Sequence, residues 1–160
     1  EALKMSEAIM QVIRPFTPAD TERFADFLAD LSPRSRYFFW PHGYDHATAA
    51  ELTQPEKLAD RSTLRFLAEE EGVMTGYVFL WDWDTPLPWL GIAVRDGYQR
   101  RGVGQQMMET MLALAKRHGK RGLKLTTMKD NERAQRLYAR CGFMIVGIEQ
   151  NGEYLLVHRF

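Results

Sequence analysis

The chain has 160 residues and a mass of 18.6 kDa, and its 21 Lys+Arg balance 21 Asp+Glu to a formal net charge of zero. Its 45% hydrophobic and 26% charged residues suit one globular domain and exclude disorder as the main state. One cysteine excludes a disulfide framework, the charge balance argues against a nucleic-acid partner, and no apolar run approaches the roughly 20 residues of a membrane span.

Residues 1–9 have neither a basic start nor a long apolar core, so they do not read as a secretory signal. They are set apart from a domain over residues 10–160, with Met5 and Met10 as candidate native starts. A cytoplasmic setting is expected, and a lone thiol is compatible with it. Met10 to Phe16 reads as a strand ended by Pro15 and Pro18. Asp20 or Thr17 caps a helix to about Leu31, with Phe24, Phe27, Leu28 and Leu31 at helical spacing. The segment Tyr37-Phe38-Phe39-Trp40-Pro41-His42-Gly43-Tyr44 is dense in aromatics and matches no familiar element. Helix follows over His46 to Asp60, interrupted near Pro55. From Ser62 the pattern becomes strand-like: Leu64 to Glu70, Val73 to Asp82 and Leu87 to Val94 form an antiparallel meander. Gly102 to His118 is helical, with Val103, Met107, Met111 and Leu114 on one face. Leu123 to Thr127 is a strand and Asn131 to Cys141 a helix. Phe143 to Glu149 and Glu153 to His158 are strands joined at Asn151-Gly152, a primed-turn hairpin signal. The expected class is α/β (α+β): one domain with a mixed, mostly antiparallel central sheet flanked by helices.

The chemistry concentrates in Ile92-Ala93-Val94-Arg95-Asp96-Gly97-Tyr98-Gln99-Arg100-Arg101-Gly102-Val103-Gly104. A strand ends at Val94, a basic glycine-containing loop follows, and a helix opens at about Gly102. The first N–H groups of a helix lack internal partners and lie at the positive end of its dipole, which makes an anion site. Gly102 and Gly104 leave the main chain open to a phosphate. The residues alone balance this against an ordinary loop. A dinucleotide fingerprint lacks its third glycine at Met107, and the Gly-Lys-Ser/Thr of a nucleotide P-loop is absent.

Gln99-Arg100-Arg101-Gly102-Val103-Gly104 resembles the Gln/Arg-x-x-Gly-x-Gly/Ala pyrophosphate loop of the GCN5-related N-acetyltransferases (GNAT). Asn131-Glu132-Arg133-Ala134-Gln135-Arg136-Leu137-Tyr138-Ala139-Arg140-Cys141-Gly142-Phe143 is similar to that family's Asn-x-x-Ala-x-x-Leu-Tyr-x-x-x-Gly-Phe. The motifs span about Ile92 to Phe143. The resemblance implies transfer of an acetyl group from acetyl-CoA to an amine. The pyrophosphate would rest on the amides of Gln99 to Gly104, and the pantetheine arm would lie beside Ile92, Ala93 and Val94 like an added strand. Asn131 would hold that arm while also serving as a plain helix cap. Tyr138 would act as general acid toward the leaving thiolate. Its stripe with Ala134 and Leu137 would, without the motif, read as core.

An ammonium must lose a proton before it attacks. Many relatives carry a Glu where this chain has Pro88-Trp89-Leu90-Gly91. Asp82 and Asp84 are weak base candidates; Glu69, Glu70, Glu71, His42, His46 or a water relay are the others. Trp40, His42, His46 and Trp83 are weak candidates for the acceptor pocket. Aromatic rings there read either as core or as a wall, and Asp82 and Asp84 between tryptophans would hold an ammonium. Cys141 reads as core, and Lys116 to Arg121 as a solvated helix end or a contact to the cofactor 3′-phosphate. No metal is expected. The acceptor is a small-molecule or peptide amine, and the rival reading is a sensor domain that binds acyl-CoA without turnover. Dimers are frequent in the family, and the strand from Glu153 to Phe160 is expected to pair across a homodimer.

Overall fold

The computed structural model describes residues 11–160; the expected domain start at Met10 and the segment 1–9 lie outside them. Strand β1 (Val12–Pro15) leads through a short 3-10 turn (Pro18–Asp20) to helix α1 (Thr21–Ala29). Three short helices follow: α2 (Pro33–Phe38), α3 (His46–Leu52) and α4 (Pro55–Leu58). The meander is β2 (Thr63–Glu70), β3 (Val73–Trp81) and β4 (Trp89–Val94). Then come α5 (Val103–Arg117), β5 (Gly122–Thr127), α6 (Glu132–Arg140), β6 (Met144–Ile148) and β7 (Tyr154–Arg159). The strands make one sheet in the order β1-β2-β3-β4-β5-β7-β6. All neighbours are antiparallel except β4 and β5. Among the described residues no helix is long and apolar enough to cross a membrane.

Each face of the sheet carries its own core, because side chains alternate along a strand. On β3, Val78 and Leu80 join Met107, Met108 and Met111 of α5, with Leu123 and Leu125 of β5. Tyr77 and Phe79 point the other way, into Phe24, Phe27 and Leu28 of α1.

Three departures from the sequence reading have physical causes. Helix α2 forms ahead of the aromatic segment and runs into its first two residues: Ser32 caps it, accepting from Ser35 N at 3.1 Å, and Pro33 presets its first turn. The β6–β7 hairpin is not a primed turn. Gly152 N donates to Glu149 O at 2.9 Å, Gly152 has φ +88°, and Asn151 has no positive φ, so the loop has three residues closed by a left-handed glycine. Finally, β7 is enclosed between β5 and β6 and has no free edge with which to pair across a dimer. The edge strand at that end of the sheet is β6, with Met144, Ile145, Val146 and Ile148 exposed.

Candidate active site

Strand β4 pairs with β3 along its length, but meets β5 at one position, Trp89 opposite Lys124. Beyond that point the two parallel strands part. Lys124 N still donates to Pro88 O at 3.0 Å, while the β5-facing edge from Leu90 to Val94 has no strand partner. The gap opens into a cleft of about 520 Å³. Its floor is β4, with Thr126 and Thr127 of β5 on one bank, the Asp96–Gln105 segment at one end, and faces of α2 and α6 above. Ile92, Ala93 and Val94 line it.

The loop that closes this end is shaped by its own backbone. Gly102 caps α5 with φ +82° and no capping side chain, so the first N–H groups of α5 keep no side-chain acceptor. A Cβ there would meet only Gln106 Nε2, at 3.8 Å; the backbone conformation is what calls for glycine. Gly104 answers a different demand, since its Cβ would stand 3.1 Å from Leu137 Cδ2. Its bareness lets α5 and α6 approach each other, in addition to any opening toward a phosphate. Gln99 spans the loop: its Nε2 donates to Val94 O at 3.3 Å and its Oε1 accepts from Arg133.

Arg100, with φ +64°, lines the cleft, but Arg101 does not. Arg101 Nη2 pairs with Glu70 at 3.2 Å and its guanidinium covers the Tyr98 ring at 5.1 Å. The second basic group comes instead from Arg133 and Arg136 of α6, which also line the cleft. Burial, with Arg100 and Arg136 nearby, holds the Arg133 guanidinium below its ordinary pKa. Among the described residues none of Arg100, Arg133 and Arg136 pairs with a carboxylate. Arg133 and Arg136 share one face of α6 at a spacing of three residues, a pattern present in the sequence beside the apolar stripe of Ala134, Leu137 and Tyr138.

Tyr138 lines the cleft and is 7% exposed. Burial, with Cys141 adding to it, pushes its phenol well above the ordinary value. Among the described residues its hydroxyl makes no hydrogen bond, and its ring packs on Phe143 at 6.1 Å. It is a neutral O–H donor facing the gap. Asn131 also lines the cleft, and its Oδ1 caps α6, accepting from Ala134 N at 3.4 Å. The Cys141 thiol is half-buried against the same core, and burial raises its pKa.

The weaker candidates scatter. Asp82 has φ +54° at the end of β3, where its carbonyl accepts from Thr85; neither it nor Asp84 lines the cleft. Glu69 pairs with Arg14 at 2.8 Å, and Glu70 is held by Arg101 and Gln11. The Phe79 ring occupies the space a side chain at Gly91 would take. Trp83 packs on His118 at 5.5 Å beneath Lys120, and Trp40 is exposed. His46 is exposed and meets Glu22 at 2.7 Å. His42 is the one candidate built into the aromatic wall. Its Nε2 meets the buried Tyr77 hydroxyl at 3.0 Å, and Nδ1 stands 2.8 Å from Gly43 O. Tyr77 also accepts from Arg65 Nη1, and burial pushes its phenol up to about 12. Phe38 and Phe39 of the aromatic segment do line the cleft.

The mostly antiparallel seven-stranded sheet, parted between β4 and β5 and flanked by helices, is the fold of the acetyltransferases that superimpose on it. The model of the acetyltransferase (GNAT) family matches residues 22–143, and the chain belongs to that family. The chain is 27% identical over 132 residues to the spore coat polysaccharide biosynthesis protein SpsD of Bacillus subtilis (strain 168), across 81% of this chain and 45% of that protein. It therefore spans less than half the length of that curated relative. Among solved structures, the GNAT domain of S. lividans PAT superimposes with a TM-score of 0.82 at 18% identity, covering 94% of this chain and 90% of that one. The aminoglycoside acetyltransferase AAC(6')-Ib in complex with coenzyme A and kanamycin has a TM-score of 0.75 at 18% identity, covering 94% and 95%.

Proposed function

We propose that the protein is an acetyl-CoA-dependent N-acetyltransferase that moves an acetyl group directly to a primary amine. One observation carries this: the unpaired edge of β4 runs toward the uncapped start of α5, with the unbonded Tyr138 hydroxyl facing the same gap. The residues fit the cofactor. The β4 backbone from Leu90 to Val94 offers an extended arm its hydrogen bonds. The first amides of α5, with Arg100, Arg133 and Arg136, offer donors and charge to phosphates. When bound, acetyl-CoA supplies the reactive thioester.

The chain's own residues then divide the work. Backbone N–H groups in the gap stabilise negative charge on an acyl oxygen. Tyr138, kept protonated by its burial, gives a proton or hydrogen bond to a departing thiolate. No carboxylate in the cleft takes the amine proton: Asp96 is the one acid among the described lining residues, and Ser32 and Ser35 already hold it. Proton removal therefore falls to water. The same lining has Arg34 and Arg140, outside the set assigned to the phosphates, with Phe38 and Phe39. It favours an acceptor whose remaining groups are apolar or anionic over a polycation such as the spermidine and kanamycin named with structural neighbours.

The test is CoA thiol release from acetyl-CoA against matched amines, including amino acids, amino sugars, amino sugar phosphates, peptides, spermidine and kanamycin. Turnover of at least one amine is expected, with the polycations among the poorest. Saturable acetyl-CoA binding without turnover of any amine would contradict the enzyme reading and leave the sensor.

A further inference from the structure

Helix α2 lies across the cleft and is tied to both sides of it. At its start, Asp96 accepts from Ser32 N at 3.0 Å, from Ser32 Oγ at 2.8 Å and from Ser35 Oγ at 3.0 Å. Burial opposes the charge on Asp96, but these hydrogen bonds outweigh it and hold the carboxyl below the usual carboxylate range. The adjacent Arg95 faces α1, pairing with Asp30 at 2.8 Å and Asp26 at 3.0 Å. Two consecutive residues just past β4 thus bind the α1–α2 corner to the beginning of the phosphate loop. At the far end of α2, the Tyr37 hydroxyl donates to Asp130 Oδ2 at 3.3 Å, in the turn before α6. Between these ties Arg34, Ser35 and Phe38, one face of the helix, line the cleft.

No residue of α2 is buried, and its ties are largely polar. Few buried apolar contacts mark a segment that opens locally at low free-energy cost. Asp96 is therefore shared between two elements. Its carboxylate holds α2, and its carbonyl accepts from Gln99 N at 3.4 Å inside the loop that ends at Gly102.

We propose that α2 is a strap that closes over the bound cofactor, with Asp96 as the positioning residue that couples it to the phosphate loop. The proposal rests on the acetyl-CoA reading of the cleft. Ligand that orders the loop orders the strap, and by linkage a closed strap retains the ligand. Closure also sets Phe38 as a wall of the acceptor space, so cofactor occupancy prepares that space for the amine.

The test uses CoA alone, by hydrogen exchange and by stopped-flow release. In the unaltered protein CoA is expected to slow amide exchange over residues 33–39 as well as 96–104. Asp96→Asn and, from the helix side, Ser35→Ala are expected to keep the protection at 96–104 and lose it at 33–39. Each should release CoA roughly ten-fold faster, the worth of one hydrogen bond to a charged group. The double variant should be no faster than Asp96→Asn, because the Ser35 hydrogen bond is among those that Asp96→Asn already weakens. Protection at 96–104 without any at 33–39 in the unaltered protein overturns the strap alone, as do unchanged or additive release rates. Absence of protection at 96–104 overturns the cofactor site and the strap with it.

Discussion

The two walls of the cleft were built by different means. The wall proposed for the cofactor, from Ile92 to Phe143, is made largely of backbone: an unpaired strand edge, a left-handed glycine and the free amides of α5. The wall proposed for the acceptor, in the segment from Pro33 to Tyr44, is made of side chains held by distant partners. Asp96 lies 64 residues from Ser32, and Tyr77 lies 35 from His42. Backbone sites leave local constraints in the sequence, such as a glycine at positive φ or a cap at a fixed offset. Side-chain walls do not.

The largest expected effect strikes the backbone wall. Gly102→Glu forces a β-carbon residue into φ +82° and brings a carboxylate to the phosphate end. Loss of acetyl-CoA binding by calorimetry is expected, with circular dichroism near that of the parent; unchanged affinity would move the phosphates elsewhere. Next is Tyr138→Phe. Turnover should fall by on the order of 100-fold, the usual worth of a positioned acid, with acetyl-CoA affinity within a few-fold of the parent. Equal turnover would make Tyr138 a packing residue only. A smaller effect belongs to Arg133→Gln: about ten-fold weaker CoA binding, with a flatter dependence on salt, since one charge-assisted contact is removed. An unaltered salt dependence would place Arg133 outside the phosphate field.

The smallest effect sharpens the other wall. Burial, with Arg65 nearby, lowers the His42 pKa below its ordinary 6.5, despite the opposing hydrogen bond to Gly43. The unfolded chain then binds the extra proton first, so stability falls as pH drops below about 6.5 and levels off below the folded value. His42→Asn should flatten thermal stability between pH 7 and 5; an identical pH profile would place His42 in solvent.

What could be read in advance follows the same division. Periodicity located β2 to β5 and α5 and α6 to within a residue or two, since apolar alternation and helical spacing are properties of short windows. The loop and Tyr138 stand out in the sequence because a motif fixes their order, and both line one cleft. Helix α2 is hard to read in the sequence because it is only six residues long and runs into the aromatic segment at Tyr37 and Phe38, although Ser32-Pro33 carries a capping signal. Asp82 and Asp84 sat near tryptophans in the sequence, but the turn after β3 carries them away from the cleft. Asp96 carried no signal at all. Its partners are more than 60 residues away, and nothing local distinguishes it from an ordinary loop acid.

The most direct measurement is a calorimetric titration of the unaltered protein with acetyl-CoA, repeated on Gly102→Glu. Saturable one-to-one binding to the first and none to the second is the expected result. Equal binding by both, or none by the unaltered protein, would contradict the assignment of the β4–α5 cleft as the acetyl-CoA site.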